Sequence, residues 1–307
     1  MQTPTGVPPA TWIVGGTRSG KTTALVTALS HWQPRNCLDA TVLVFAANSD
    51  NRAILLEQLL KATEGEYQVR STTPLGFFQD EVMLFWPLLL QSLQLTAQFP
   101  LPLRPENEQE LATRLWRSQL DQGQLRLEGV AESRLVRRTL DLMQLAALSG
   151  VEIGDIANLL STGFLGQEAR VGADMGAALT CWRDWCLQRG LLTYGLVADL
   201  YGHYLLPHPT YQQHLIRRFQ GVLADDVDEY PAIARQLFEY FLDQQVPMVF
   251  TYNPEGAVRL GLGADPHYLA ALAARCQVIA LTPRPMSSLG DQVGQLLLEA
   301  LGDFTPP

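Results

Sequence analysis

The sequence predicts an α/β fold, a parallel sheet covered by helices with an all-α subdomain inserted into it. Three observations carry that expectation. A glycine-rich turn joins a short apolar strand to an apolar-periodic helix at 11–29, TWIVGGTRSGKTTALVTAL. Further short apolar runs recur along the chain with helical patterns between them. Between about 98 and 190 this alternation stops, and apolar spacings of three and four take over.

The first strand is expected over Trp12 to Val14, before GGTRSGKT at 15–22 and a helix with Ala24, Leu25, Ala28 and Leu29 on one side. Later strands are expected in TVLVFA (41–46), YQVRST (67–72), GVLADD (221–226), PMVFTY (247–252) and QVIAL (277–281). Runs apolar along most of their length suit strands buried on both faces. Helices are expected over Asn51 to Ala62, over Pro231 to Asp243 with proline in the first turn, and from Asp265-Pro266 into HYLAALAARC. SRLVRRTLDLMQLAALSG (133–150), GADMGAALTCWRDWCLQRG (172–190) and LTYGLVADLYGHYL (192–205) read as helices, and no strand is expected within 98–190. The expected division is a discontinuous sheet domain, 1–97 and 191–307, and a helical subdomain, 98–190.

With 47% hydrophobic and 17% charged residues in 307, the chain is not a disordered one and needs no disulfide or metal staple. No run reaches the roughly 18 apolar residues of a membrane span. The densest, VMLFWPLLLQSLQL at 82–95, is broken by Pro87, Gln91, Ser92 and Gln94. MQTPTGVPPA at the start has neither a basic segment nor an apolar run, so a cytoplasmic protein without a membrane partner is expected. Cys37, Cys181, Cys186 and Cys276 form no CxxC pair and read as core thiols. Cys181, Trp182, Trp185 and Cys186 have the spacing of a buried helical stripe, and His203, His208 and His214 lack metal-ligand spacing.

GGTRSGKT has the pattern G-x-x-x-x-G-K-T in a strand–loop–helix setting. Gly15, Gly16 and Gly20 let backbone N–H groups turn inward around phosphate oxygens, and the helix N-terminus adds its partial positive charge. Lys21 supplies a point charge for the outer phosphates and the Thr22 hydroxyl a ligand for magnesium, with Thr17, Arg18, Ser19 and Thr23 completing the loop. An ordinary glycine turn has no need of Lys-Thr directly after Gly20. ATP and Mg2+ are therefore expected. GVLADDVDEY at 221–230 offers Asp225 at a strand end, followed by Asp226, Asp228 and Glu229, and Asp225 is the candidate second magnesium ligand.

The long helical stretch between Lys21 and Asp225 resembles the first motor domain of UvrD/Rep/PcrA-type superfamily 1 DNA helicases, and the likeness extends along the chain. GGTRSGKT resembles that family's AGAGSGKT, and TVLVFAANSDNRA is a loose version of ILAVTFTNKAA. STTPLGFF at 71–78 occupies the place of TFHSL, which touches single-stranded DNA. LLTYGLVADLYGHYL is similar to the DFDDLL helix, and FQGVLADDVDEYPAIARQLFEYFL to FxxILVDEFQDTNxxQxxLLxxL. VFTYNPEGAVRLGLGADPHYL resembles VGDPDQSIYxFRGADPxxL. The resemblance implies a P-loop RecA-like domain with a helical insertion. It also implies Lys21 on phosphates, Thr22 and Asp225 on magnesium, and Asp226 as general base.

The departures bear on activity. Asp226 stands where the family has glutamate, and the missing methylene draws a general base back by roughly an ångström or more. Gly256 replaces the glutamine that senses the γ-phosphate, and Leu262 the arginine of FRGA. LTPRPMSS at 281–288 puts Met286 where LTTNYRS has its arginine, with Arg284 out of register. Fourteen residues precede Gly15, leaving the adenine-reading segment unmatched, and the chain ends at Pro307, where these helicases begin a second RecA-like domain. The expectation is weak ATP hydrolysis, no autonomous unwinding, and a partner protein supplying a second motor domain or an arginine.

A net charge of −9 opposes general nucleic-acid binding, though a local groove is compatible with it. Arg134, Arg137 and Arg138 share a helical face, Arg217-Arg218 precede the acidic strand, and Phe77, Phe78 and Trp86 are candidates for stacking on bases. Together with Thr72 and Thr73 from the TFHSL-like segment, Phe77 and the three helical arginines form the candidate single-stranded-DNA surface. The leading expectation is thus a helicase-like ATP-binding protein with weak DNA-dependent ATPase activity. A non-catalytic nucleotide-dependent adaptor and a P-loop phosphotransferase with a helical lid are the alternatives.

Overall fold

The computed structural model describes residues 10–30, 32, 41–163, 167–281, 293–294 and 296–297. In chain order the strands are β1 (Ala10–Val14), β2 (Thr41–Phe45), β3 (Gln68–Thr72), β4 (Leu101–Pro102), β5 (Leu191–Leu192), β6 (Phe219–Ala224), β7 (Met248–Tyr252) and β8 (Gln277–Ala280). The helices are α1 (Lys21–Ser30), α2 (Ser49–Ala62), α3 (Pro74–Leu84), α4 (Trp86–Leu93), α5 (Pro105–Leu115), α6 (Arg117–Asp121), α7 (Glu132–Leu148), α8 (Ile156–Gly163), α9 (Gln167–Leu187), α10 (Tyr194–Asp199), α11 (Pro209–Arg218), α12 (Ala234–Asp243) and α13 (Pro266–Ala270).

Six strands form one parallel sheet in the order β3-β2-β6-β7-β1-β8. The predicted α/β class and all six predicted strands are present. Side chains alternate between the sheet faces, and the buried residues divide accordingly. Trp12, Leu43, Phe45, Val222, Ala224, Met248 and Phe250 share one cluster with residues of α3, α4, α11 and α12. Ile13, Val42, Val44, Leu223 and Val249 share the other with α1 and α2.

Between β4 and β5 the helices have a cluster of their own, with Trp116, Leu140, Met143, Leu179, Trp182 and Cys186 at its centre. The expectation that 98–190 lacks strands is corrected by β4, which pairs in parallel with β5. Leu101 N–H donates to Gly190 O (2.7 Å) and Leu103 N–H to Leu192 O (2.7 Å), which ties the two ends of the helical segment together. Gly190 has φ 69°, and a side chain there would meet Phe99 O at 2.5 Å, so neither its conformation nor its surroundings admit another residue. Helix α10 spans both parts: Leu196 packs in the helical cluster, and Val197 in the cluster of the sheet. The helix continues through 200–205 as a π-helix.

Helices α8 and α9 cross closely, because a side chain on Gly176 would fall 2.3 Å from Ala157 Cα. Gly176→Ala is therefore expected to lower stability by about 1–2 kcal/mol in urea unfolding, overpacking outweighing the roughly 1 kcal/mol that alanine adds to a helix. A variant as stable as the parent would show that the helices part without cost.

The helix expected from Pro231 begins instead at Ala234, since Pro231 pairs with Ala264 in an isolated bridge and Ile233 N–H donates to Leu148 O. The core-thiol expectation holds for Cys186, whose thiol burial pushes up, but Cys181 is exposed on the outer side of α9. Cys37 lies outside the described residues. No helix of the described residues is long and apolar enough to cross a membrane.

Candidate nucleotide-phosphate site

The strand order brings together residues far apart in the chain. Strand β7 lies between β1 and β6, so the loop after β1 and the aspartates after β6 meet at the carboxyl edge of the sheet. The chain leaves β1 toward β2 and β7 toward β8, in opposite directions from neighbouring strands. That is a topological switch point, where ligands of open parallel sheets bind.

Gly15 N–H donates to Tyr252 O (3.1 Å), fixing the start of the loop on β7. A side chain on Gly15 would meet Ser19 Oγ at 2.2 Å, so a larger residue there would have to displace Ser19, and glycine serves close approach rather than an unusual φ. The positive φ angles fall on Arg18 (61°) and Gly20 (96°). Glycine stands at the Arg18 position in the motif this loop resembles, and arginine holds the left-handed conformation at a cost of about 1 kcal/mol. Gly16, Thr17, Ser19 and Gly20 carry the chain to α1, where Lys21 is buried and Thr23 exposed. The Ser19 hydroxyl is buried and has no hydrogen-bond partner among the described residues.

Lys21 Nζ donates to Gly16 O (3.1 Å) and lies 3.5 Å from Asp226 Oδ1. The Thr22 hydroxyl donates to Asp225 Oδ2 (2.9 Å), and the buried Thr251 hydroxyl donates to Asp225 Oδ1 (2.6 Å). Asp226 adopts φ 54°, and its N–H donates to Thr251 Oγ1 (2.7 Å). Tyr230 donates from its hydroxyl to the Asp225 carbonyl (2.7 Å), which holds the strand end in place. Burial, and after it the neighbouring Asp226 charge, push the Asp225 carboxyl up to about 6, against the opposing effects of Thr251, Thr22 and Lys21.

Among the described residues, no group of three or more His, Cys, Asp and Glu side chains is arranged to hold a metal by itself. A facing hydroxyl and carboxylate nevertheless suit a hard cation that keeps water and takes phosphate oxygens as its other ligands. The partnerless Ser19 hydroxyl and the buried Asp225 carboxyl also fit a site that is completed by a ligand.

Thr251 and Glu255 were missed by sequence reasoning, and Asp228 was named only as one of the acidic residues after Asp225, without a role. Thr251 is a lone hydroxyl in an apolar strand, and only the strand order shows that it lies beside Asp225. Asp228 Oδ1 accepts from Asn253 N–H (2.8 Å), while Gly256 is so tightly packed that a side chain there would meet Asp228 Oδ2 at 2.9 Å. A side chain at the position where the family it resembles carries glutamine would thus have to displace Asp228. Leu262 is exposed, and Arg284 and Met286 lie outside the described residues.

The expected DNA-facing residues are not brought together as one surface. Phe77 is fully buried edge-on to Phe45, Tyr201 and Phe219, Phe78 stacks on Tyr201, and Trp86 donates from Nε1 to Ala97 O. This corrects the expectation of base stacking, since these rings have no free face. Thr72 is buried, and Thr73 caps α3 by accepting from Gly76 N–H (3.2 Å). Arg137 is committed to Asp141 and lies 3.8 Å from the buried Glu108. Arg134 is exposed, and Arg138 lines an apolar cavity of about 570 Å³ with Leu135, Leu142, Leu145 and Met175, apart from the phosphate loop. Arg218 is bound to Glu81. His203 sits between Asp199 and Gly150 O, His208 caps α11, and His214 lies against Phe85.

No protein-family model matches the chain, and no curated protein is similar enough in sequence to match it.

Proposed function

We propose that the chain is a helicase-like protein that binds ATP with magnesium at residues 15–23 and hydrolyses it slowly, in response to single-stranded DNA and a partner protein. One observation carries the reading: Thr22 and Asp225, 203 residues apart in the sequence, share a 2.9 Å hydrogen bond beside Lys21. The loop N–H groups and the α1 N-terminus bind and orient the phosphates, and Lys21 turns from Gly16 O and Asp226 toward their oxygens. Thr22 and Asp225 would hold the magnesium, which would neutralise charge building on the phosphates. Asp226 accepts a proton from water weakly, being shorter than glutamate and drawn toward Lys21.

Slow turnover follows from Gly256 and Leu262, which stand where the resemblance places the glutamine and arginine that sense and stabilise the outer phosphate. An arginine from a partner would be worth roughly 10³–10⁵ in rate, as in other nucleotide hydrolases. The second reading, a nucleotide-dependent adaptor without turnover, is favoured by the Asp228–Gly256 packing, which crowds that position. Binding of Mg·ATP and its hydrolysis with and without single-stranded DNA test both. Lys21→Ala is expected to weaken binding by about 100-fold, the effect of losing a charged hydrogen bond in a largely buried site. Equal affinity in parent and variant would reject the site, whereas tight binding without DNA-stimulated turnover would select the adaptor.

A further inference from the structure

The turn after β7 brings a carboxylate over the phosphate loop. Glu255 Oε1 and Oε2 lie 3.8 and 3.9 Å from the position that a side chain on Gly16 would take. The turn is held firmly: Asn253 N–H donates to Asp228 Oδ1 (2.8 Å), Glu255 N–H to Asn253 Oδ1 (3.1 Å), and Gly256 N–H to Asn253 O (3.1 Å). Gly256 packs on Asp228, and Gly15 N–H binds the last carbonyl of β7, so the turn and the phosphate loop form one packed unit. The Glu255 carboxylate itself has no ion pair or hydrogen-bond partner among the described residues.

Gly16 marks the outer end of the phosphate path, because its carbonyl receives the Lys21 ammonium, the group that serves the outer phosphates. Lys21 is already shared with Asp226, so Glu255 adds a negative charge that this lysine does not offset. A terminal phosphate at that end meets a like charge, while a diphosphate seated deeper in the loop meets less of it.

We infer that Glu255 makes the site discriminate against the terminal phosphate, so that the chain holds Mg·ADP more tightly than Mg·ATP. This deepens the phosphate-site reading and rests on it. The residue acts through charge at the mouth of the site and is not assigned a chemical step.

Equilibrium titration tests the inference, with Mg·ADP and the magnesium complex of a non-hydrolysable ATP analogue as probes, on the parent chain, Glu255→Gln and Lys21→Ala. Glu255→Gln is expected to tighten the triphosphate analogue by about 5–10-fold and Mg·ADP by less than about 2-fold. The difference should shrink as salt rises from about 0.05 to 0.5 M, because the site is open to screening. A change in neither ligand, or an equal change in both, would overturn this inference while leaving the phosphate site intact if Lys21→Ala still weakens binding about 100-fold. Failure of the parent chain to bind either nucleotide would overturn the phosphate-site reading, and this inference with it.

Discussion

Replacing Asp225 by Asn should make the nucleotide-free chain more stable at pH 8 by about 3 kcal/mol, and should abolish the Mg·ATP binding proposed for this site. The reason lies in burial. Asp225 is only 5% exposed, and its carboxyl is pushed up to about 6 from an ordinary 3.8. A group raised in the folded state favours folding most when protonated, so its contribution is fully present below about 3.8 and is lost as pH rises through about 6. Above that range the folded chain carries an unfavourable buried charge, and a carboxyl raised this far costs about 3 kcal/mol when ionised. Asparagine removes the charge and nearly keeps the shape: its oxygen accepts from Thr251 as Asp225 Oδ1 does, and its NH2 donates to the Thr22 hydroxyl, which turns from donor to acceptor.

Urea unfolding in chelator should therefore show a gain at pH 8 that shrinks toward zero near pH 3.5. A parent chain as stable as the variant at pH 8 would mean that Asp225 is not held in an unfavourable charged state. Stability traded for a ligand-ready carboxylate is the pattern expected of a binding site.

Arg218→Met should destabilise the fold by about 3 kcal/mol, and Glu81→Leu in the same chain should recover most of that loss. Glu81 on α3 is fully buried, and the Arg218 guanidinium binds it twice, at 2.7 and 2.9 Å, across from the end of α11. Arg70 reaches the same carboxylate at 3.3 Å from β3 but is also drawn to Asp80. Removing one partner of a buried pair costs about 3–5 kcal/mol because the other charge stays behind, whereas replacing both by apolar groups is often neutral. The remaining Arg70 contact places the expected loss at the lower end of that range. Denaturation of the two single variants and the double variant gives the coupling directly. A single-variant loss below about 1 kcal/mol would show that Arg70 alone satisfies Glu81.

Much of the sheet was legible because its inner strands β1, β2, β6 and β7 are largely buried on both faces and therefore read as apolar runs of limited length, whereas the edge strands β3 and β8 are more exposed. The loop was legible for a different reason: Gly15, Gly20, Lys21 and Thr22 are close in sequence, and the local backbone sets their relation. Two readings failed where local pattern is ambiguous. Phe77, Phe78 and Trp86 have the composition of a stacking platform, but the same rings fill the space between α3, α10 and the sheet. Pro231 has the look of a helix start, but this segment is held by Ala264 and Leu148 before the helix begins. Strand β4 is two residues long and has no periodicity to detect.

Strand–helix alternation, the glycine–lysine–threonine loop and the acidic strand end are written in local spacing, since each rests on contacts within a few residues. That β7 enters between β1 and β6, setting Thr251 against Asp225, Glu255 over Gly16 and Asp228 against Gly256, emerges only once the chain is folded. Those pairings depend on strand order, a property of how distant segments pack together, and no local spacing encodes which strand will lie beside which.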